Sequence, residues 1–430
     1  MKITNFGGAT AILEHCGKRM LFDPWLDDGI FHGSWFHYPP LNVGVDDLPR
    51  LDYVYISHIH EDHCSAGTIK HINADAEVIL MDREPNLVLK YLESHRFHFK
   101  KIHLIKPRSP VVIAPDLTVN MLEADPANEM SSLIDSALLL NWDGFRVYNA
   151  NDCQPYDSCL NYILDNYGRI DLALIPYSGG SGYPACYTNL SADEKRQEKD
   201  RILEARLANF VRVVKYLEPK FAMPFADQYV VGGARAPLNK YISHPACPGA
   251  VAETAMQEGI GHKILLLNSG QSYDFEAGNK IPADAYRHFT EDDRLAYVTS
   301  RLQHFKYDHD SINLSPTIPV RRLVEHARAR MWTVQRRNGY SSACSIYLEI
   351  PESNSRFRIC LDGERVIETD CAQKLEQPYI KISCPHTLMV LLLIGHVSWN
   401  IADAALFLDY ERVPNVYDSR VYAHLNYLRV

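Results

Sequence analysis

The chain has 430 residues, of which 46% are hydrophobic and 23% are charged, so it can bury more than one domain core and is not a disordered protein. Its formal net charge of −9 excludes a nucleic-acid backbone as a partner, because such binding depends on dense Lys and Arg. The ten cysteines form no C-x-x-C pair, and no apolar run reaches the length of a bilayer. We expect no apolar leader, because residues from Lys2 onward already predict a strand. We therefore expect a cytoplasmic protein without a membrane span.

The first half of the chain predicts short strands divided by turns. Residues 2–26 predict two or three strands interrupted at Gly7-Gly8 and Gly17-Lys18. Apolar or alternating runs predict further strands at 51–57, 76–81, 101–107, 117–124, 135–142, 145–152, 171–176, 220–226 and 263–268. Helical periodicity is found at 85–95 and 195–217. Strands mixed with a few helices predict an α/β sandwich of two sheets with helices packed outside.

The second part of the chain predicts a smaller module. The polar segment 275–300, with its Gly and Pro, is typical of a linker. The patterns that follow are a basic helix at 320–332, strands at 345–350, 356–361 and 379–385, and a helix-like stretch at 386–406. We therefore expect a domain of residues 1–275 and an α+β module of residues 290–430.

A cluster of potential metal ligands follows the predicted strand at 51–57. In the pattern H-x-H-x-D-H, His58 and His60 can converge on one ion, while Asp62 and His63 follow on the next bend. They can face a second ion about 3.5–4 Å away, the separation typical of two-metal sites. Four potential ligands at this spacing indicate a two-metal site, and the alternative is a loop that carries surface histidines.

The segment "SHIHEDH" resembles the signature of the metallo-β-lactamase superfamily. The resemblance covers roughly residues 1–270, and "GGATAILEHCGKRMLFDPWL" is similar to the first hairpin of that fold. It implies an αββα sandwich with a two-metal site along one edge. The C-terminal module resembles the sterol-carrier-like domains that accompany some members of the superfamily.

The resemblance also implies ligands on later loops. In "VYNANDCQP", Asp152 matches the aspartate that bridges the two ions, with Asn151 in the place of the family's glycine. A carboxylate shared by two cations offsets their mutual repulsion, which neutral histidines cannot do. We expect Asp62 and Asp152 to be the catalytic carboxylates.

Two positions depart from the superfamily pattern. Most members place a histidine ahead of the bridging aspartate, but "LEADPANEMSSLIDSALLL" offers acids, among which Glu129 is better placed than Glu123 or Asp125. The last family histidine is also missing after "FAMPF", and we expect either Asp227 or His244 to complete the second metal site.

A carboxylate in place of a histidine adds a hard oxygen donor and favours iron or manganese over zinc. The same replacement marks a branch of the superfamily that holds two non-haem irons and hydroxylates its substrates. Segments 175–187 and 395–417 make the chain similar to the non-Rieske part of CMP-N-acetylneuraminate hydroxylase. A Rieske cluster requires paired C-x-H and C-x-x-H motifs, and Cys384-Pro385-His386 fits the first half without a second half following.

The resemblance therefore implies a diiron oxygenase that hydroxylates a small molecule, such as a nucleotide-, coenzyme A- or carrier-linked intermediate, with electrons from an external donor. The alternative is a zinc or manganese hydrolase of a phosphodiester, lactone or thioester, and a non-catalytic, metal-stabilised scaffold is a third interpretation. The loop "SGGSG" at 178–182 either holds a substrate phosphate through backbone N–H groups or is a plain turn.

Overall fold

The computed structural model describes residues 1–226 and 229–430. Its strands are β1 (Lys2–Gly7), β2 (Thr10–His15), β3 (Lys18–Phe22), β4 (Trp35–His37), β5 (Tyr53–Tyr55), β6 (Glu77–Met81), β7 (Lys101–Ile105), β8 (Val111–Ala114), β9 (Leu117–Glu123), β10 (Ser136–Trp142), β11 (Phe145–Asn149), β12 (Leu172–Ile175), β13 (Phe221–Pro224), β14 (Tyr229–Val231), β15 (Ser272–Asp274), β16 (Asn279–Ile281), β17 (Ser345–Ile350), β18 (Ser355–Cys360), β19 (Val366–Asp370), β20 (Tyr379–Ser383) and β21 (Asp409–Val413). Its α-helices are α1 (Ile30–Gly33), α2 (Ala66–Ile69), α3 (Leu87–Ser94), α4 (Glu129–Ile134), α5 (Asp157–Tyr167), α6 (Ala192–Leu217), α7 (Gly249–Gln257), α8 (Glu291–Tyr297), α9 (Val320–Arg337), α10 (His386–Leu393), α11 (Trp399–Ala404) and α12 (Ser419–Leu425).

The first sheet has the strand order β16-β15-β1-β2-β3-β5-β6-β7. Strands β1, β2 and β3 are antiparallel, and β5, β6 and β7 extend the sheet in parallel with β3. The parallel strands are short apolar runs, as expected for strands that are covered on both faces. Helix α3 covers the outer face and buries Val88 and Leu92 against it.

The second sheet has the order β13-β12-β11-β10-β9-β8 and packs on the first. Phe22 of the first sheet and Leu138 of the second are fully buried in the same core cluster. Helix α6 covers the outer face through Phe210 and Val214. These layers confirm the predicted αββα sandwich, because each sheet buries one face against the other sheet and one against helices.

The C-terminal part of the chain adds a third sheet, with the order β19-β18-β17-β20-β21. Helix α10, whose residues 388–393 are all buried, belongs to a core that also includes Trp25, Phe31 and Trp35 of the sandwich. The C-terminal part therefore packs on the sandwich through one shared apolar core. The domain limits at 275 and 290 stay predictions.

Three predicted elements differ in the structure. Residues 263–268 form one isolated bridge, Ala222 with Ile264, rather than a strand. The predicted linker contains β16, which pairs with β15 in the first sheet. The helix-like stretch 386–406 divides into α10 and α11, because Gly395 between them adopts a left-handed φ of 74° that ends a helix. Among the described residues, no helix is both long and apolar enough to cross a membrane.

Candidate metal centre

The H-x-H-x-D-H loop leaves the first sheet at the end of β5. The backbone N–H groups of His63 and Cys64 both donate to the carbonyl of His60, at 3.0 and 2.8 Å. This turn brings the His63 ring beside the His58 ring, with the ring centroids 4.1 Å apart. Both rings are buried, so the loop holds the two imidazoles together inside the protein.

Asp152 reaches these histidines from the second sheet, just after β11. Its Oδ1 atom lies 3.2 Å from His63 Nε2, and its Oδ2 atom lies 3.9 Å from His58 Nε2. The ligand atoms of these three residues lie within 4.8 Å of one another. Because its two oxygens face different imidazoles, Asp152 has the orientation that a bridging carboxylate requires.

Asn151 fixes the backbone at Asp152. Its φ of 42° lies in the left-handed region, which glycine and asparagine tolerate better than other residues. The Asn151 side chain accepts a hydrogen bond from the Asp152 N–H and donates one to the carbonyl of Ser136, both at 2.7 Å. Asn151 therefore provides the left-handed conformation at a position where the resemblance implies glycine.

A second layer of polar groups orients the imidazoles. Asp23 Oδ2 lies 2.9 Å from His63 Nδ1, and the hydroxyl of Ser57 lies 2.9 Å from His58 Nδ1. Ser57 in turn donates its N–H and its hydroxyl to the Asp23 carboxylate. These contacts occupy Nδ1 of both rings and leave Nε2 for an ion, the usual arrangement behind histidine ligands.

The electrostatics differ from one histidine to the next. Burial and the neighbouring imidazoles of His63 and His60 hold the pKa of His58 well below its ordinary value. Burial also opposes charge on His63, but Asp152, Asp62 and Asp23 together raise the pKa of His63 well above its ordinary value. The site thus concentrates negative charge around one imidazole, and this charge would also favour a cation there.

His60 and Asp62 complete the loop's contribution. His60 Nδ1 lies 2.9 Å from His58 Nε2, and Asp62 Oδ2 lies 3.4 Å from His63 Nε2. The other ring nitrogen of His60 lies 2.7 Å from Asn400 Oδ1 on α11. Two pairs of ligands therefore face separate positions, and Asp152 contacts both.

Asp135 is a site residue that the sequence did not single out. It follows α4, is buried, and places Oδ1 3.8 Å from His58 Nε2. Within the described part of the chain, this oxygen has no hydrogen-bond partner, and burial raises the pKa of Asp135 to about 6. The only signal in the sequence was an acid at the first position of the predicted strand 135–142.

The structure does not bring two of the predicted ligands to the histidines. Glu129 begins α4 and pairs with Arg420 at 3.2 Å, with 41% of its side chain exposed. His244 is buried, and its Nδ1 atom lies 3.1 Å from the guanidinium of Arg294. Each side chain is held by a cationic partner, and neither joins the ligand cluster. Asp227 lies outside the described residues.

The candidate metal centre lies between two cavities. A cleft of about 740 Å³ is lined by His60, Asp135 and Asp152 on one side and by residues 399–426 of the C-terminal part on the other. An inner cavity of about 90 Å³ touches His63 and is walled by aromatic side chains, among them Trp35. A substrate can therefore reach the site from the cleft, while the opposite side is small and largely aromatic.

Residues 18–224 match the model of the Beta-lactamase superfamily domain. Together with the two-sheet sandwich and the histidine loop, this match shows that the chain contains a metallo-β-lactamase domain, as the sequence predicted. The match covers just under half of the chain, and the structure adds further C-terminal strands and helices to the matched domain.

Two curated relatives are similar to the chain. A protein of Mycobacterium tuberculosis described as a Rieske 2Fe-2S iron-sulfur protein is 35% identical over 195 residues, 44% of this chain and 36% of that protein. Cytidine monophosphate-N-acetylneuraminic acid hydroxylase of Danio rerio is 25% identical over 248 residues, 55% of this chain and 39% of that protein. The match thus spans about two fifths of each relative's length. The predicted similarity to the hydroxylase is confirmed.

Solved structures of two kinds resemble the chain. Isothiocyanate hydrolase from Delia radicum gut bacteria is 19% identical and covers 64% of this chain and 99% of that one, with a TM-score of 0.46. CmlA, a diiron β-hydroxylase from Streptomyces venezuelae, is 16% identical and covers 62% and 52%, with a TM-score of 0.42. Hydrolases and hydroxylases both occur among the similar proteins.

Proposed function

We propose that this chain is a non-haem diiron oxygenase that hydroxylates an organic small molecule. The observation that carries the proposal is the Oδ1 atom of Asp135, which faces His58 and accepts no hydrogen bond from the residues described. Burying a carboxylate without a partner is costly, and a cation beside it removes that cost. An oxygen ligand next to imidazole favours iron or manganese over zinc.

The side chains present fit a pair of ions. His58, His60 and Asp135 would hold one, and Asp62 and His63 would hold the other, with Asp152 shared between them. The buried Oδ1 atom of Asp62 also has no hydrogen-bond partner among the described residues, which agrees with a ligand role. Two iron ions bound here would supply the capacity to bind and reduce dioxygen, with electrons from an external donor.

The proposed ligands differ from the predicted ones at the first ion, and one ligand of the second ion stays a prediction. Asp135 takes the role that the sequence assigned to Glu129, because Asp135 is buried beside His58 and Glu129 is paired with Arg420. Asp227 stays a predicted ligand of the second ion.

The protein itself prepares the reaction. Asp23 holds the proton at Nδ1 of His63 and so directs Nε2 to the ion. Trp25, Phe31 and Trp35 wall the inner cavity and keep bulk water from that side. The cleft on the other side would position a substrate C–H bond next to Asp135 and Asp152.

The relatives support an oxidative function. One matched relative is a hydroxylase and another is described as an iron–sulfur protein. In each case the similarity includes well under half of the relative, so the oxygenase activity of this chain is inferred from its own ligand set together with that similarity.

The test compares Asp135→Ala with Glu129→Ala. Protein produced with iron available should contain about two iron equivalents per chain and show an oxo-bridge absorption band. Asp135→Ala should lose about one equivalent, because one ion loses a ligand, whereas Glu129→Ala should keep both. Metal analysis and the visible spectrum provide the measurement. Unchanged iron in Asp135→Ala would contradict the proposed ligand set.

A two-metal hydrolase is the second candidate. Three imidazoles and a shared aspartate also suit zinc or manganese, and a metal-bound water could then attack a phosphodiester, lactone or thioester. Colourless protein that holds only zinc or manganese and turns over such esters, with no oxygen consumption, would favour this function over the oxygenase.

A further inference from the structure

We propose that the loop of residues 178–182, together with Arg206, binds an oxyanion: a phosphate or carboxylate group of the substrate. The use of this group in catalysis rests on the proposed oxygenase function. Anion binding itself can be measured independently of that function.

Close packing explains two glycines of this loop, Gly180 and Gly182. A Cβ atom on Gly180 would lie 2.8 Å from the Trp35 ring, and one on Gly182 would lie 2.7 Å from the Asp403 carboxylate. On Gly179 it would lie 3.4 Å from the guanidinium of Arg206. The loop is therefore fixed against three neighbours, and its backbone, rather than side chains, forms the surface of the cleft there.

The backbone of this loop has unused donors. In the described part of the chain, the N–H groups of Gly179, Gly180 and Ser181 make no hydrogen bond. All three residues line the 740 Å³ cleft. Consecutive backbone N–H groups without internal partners form concave sites that favour anions, and glycine allows a ligand to approach them closely.

Arg206 adds a cation to the same place. Three arginines line the cleft. Arg201 is neutralised by Glu198 at 2.7 Å, and Arg412 is buried and donates to Asn415 and Tyr422. No residue that the structure describes accepts a hydrogen bond from Arg206, although its guanidinium packs on Gly179. A half-buried guanidinium without an acceptor is suited to a ligand's oxyanion.

The position of this site relates it to the metals. Gly180 lines both the cleft and the inner cavity that contains His63 and Asp152. An anionic group held by the loop would thus fix one end of a substrate at the edge of the metal centre, while the rest of the molecule extends along the cleft.

This arrangement defines the class of substrate. Three N–H donors and one planar guanidinium match the several acceptor oxygens of a phosphate or a carboxylate. A neutral substrate would leave these groups without partners once water was displaced, which is unfavourable. We therefore assign substrates with at least one negatively charged oxygen group.

The experiment measures binding of inorganic phosphate and of acetate to the metal-loaded protein by calorimetry. Arg206→Gln should weaken binding of the preferred anion about tenfold or more, because a charge-assisted hydrogen bond is lost, and Arg206→Lys should retain part of the affinity. Arg196→Gln is the matched control, since Arg196 lies on the same helix but is exposed and paired with Asp193. The anion that binds more tightly identifies phosphate or carboxylate as the source.

A second readout resolves the residue. Phenylglyoxal modifies arginines that are accessible to solvent, and mass spectrometry should show that the bound anion protects Arg206 but leaves the reaction of the exposed Arg196 unchanged. Equal anion affinity in wild type and Arg206→Gln, or no protection of Arg206 by either anion, would overturn the assignment. Metal content measured on the same samples separates this result from a failure of the oxygenase proposal, because Arg206→Gln should keep its metal.

Discussion

The surroundings of His244 determine whether this histidine is charged. His244 is buried against Arg294, and burial together with that guanidinium holds the pKa of His244 well below its ordinary value. The folded protein therefore keeps His244 neutral at pH values where an exposed histidine becomes charged. Its carbonyl and Nδ1 both accept hydrogen bonds from Arg294, so a proton on the ring would also break a contact.

This difference makes stability depend on pH. In the unfolded chain, His244 has a pKa of about 6.5 and becomes protonated below that pH, whereas in the folded protein it stays neutral. The contribution of His244 to the free energy of unfolding is therefore fully present above pH ~6.5. It is lost, by about 1.4 kcal/mol per pH unit, as the pH falls toward the lowered pKa of His244 in the folded protein. We therefore expect the free energy of unfolding, measured by urea denaturation of the metal-free protein, to fall by about 1 kcal/mol less in His244→Gln than in wild type between pH 7.5 and pH 5.5.

The control for this prediction is His71→Gln, because His71 is exposed. It should follow the wild-type pH dependence. If His244→Gln follows it as well, His244 does not titrate differently in the folded and unfolded chains.

At the scale of residues, local spacing carried most of the information about the site. His58, His60, Asp62 and His63 could be found because they lie within six positions after one apolar strand, and Asp152 because it ends another strand. Asp135 was missed since a loop and a short helix precede it, and sequence does not show which acid of such a segment turns inward. Glu129 looked better placed but begins α4 and faces Arg420.

One helix of the C-terminal part contacts the candidate metal centre. Asn400 lies on α11, and its Oδ1 atom is 2.7 Å from Nε2 of His60. The Asn400 backbone N–H is held by Asn426. If His60 binds the ion through Nδ1, Asn400 fixes the proton on Nε2 and the orientation of the ring.

We therefore expect Asn400→Ala to lower metal affinity about tenfold or more, as loss of a partner behind a histidine ligand usually does. Asn400→Asp should restore affinity, because a carboxylate also accepts the Nε2 proton. Competition with a chromophoric chelator measures the affinity. Asn415→Ala is the control, since Asn415 lines the same cleft but contacts Tyr183 and Arg412; affinity as low in this variant would point to a general disturbance of the cleft.

At the scale of elements, the sequence predicted most strands of the two large sheets, including β7 and β13 at their edges, but it failed where the outcome depends on which strand lies alongside. Residues 263–268 are apolar enough for a strand, but only Ile264 finds a partner in β13. The contact between Asn400 and His60 joins positions 340 residues apart, and no local pattern in the sequence indicates such a contact. The packing that requires glycine at 180 and 182 also depends on residues distant in the sequence, Trp35 and Asp403, so the sequence did not indicate it.

The whole molecule is joined by the core that the sandwich shares with the C-terminal part. Trp35 lies in that core, stacks on Tyr229 with ring centroids 3.4 Å apart, and donates its indole N–H to the carbonyl of Ala404 at 2.9 Å. Ser34 likewise donates to Ala405. Apolar packing and hydrogen bonds thus cross the junction at the same place, which favours unfolding of the two parts as one unit.

Differential scanning calorimetry of the metal-free protein should accordingly show a single transition. Trp35→Ala should cost about 3–5 kcal/mol, because it removes a large buried side chain and leaves a cavity, and it should lower the stability of both parts together. Trp332→Ala, at a half-buried position on α9, should cost less. Two separate peaks in the wild-type scan would show that the parts unfold independently.

The cleft wall opposite the histidine loop consists of residues 399–426. Homologues that share the histidine-bearing half but carry an unrelated tail would enclose a different space over the same pair of ions. Substrate specificity would then change mainly through substitutions in the C-terminal part. One position is constrained, because the residue that replaces Asn400 must still accept a hydrogen bond from His60.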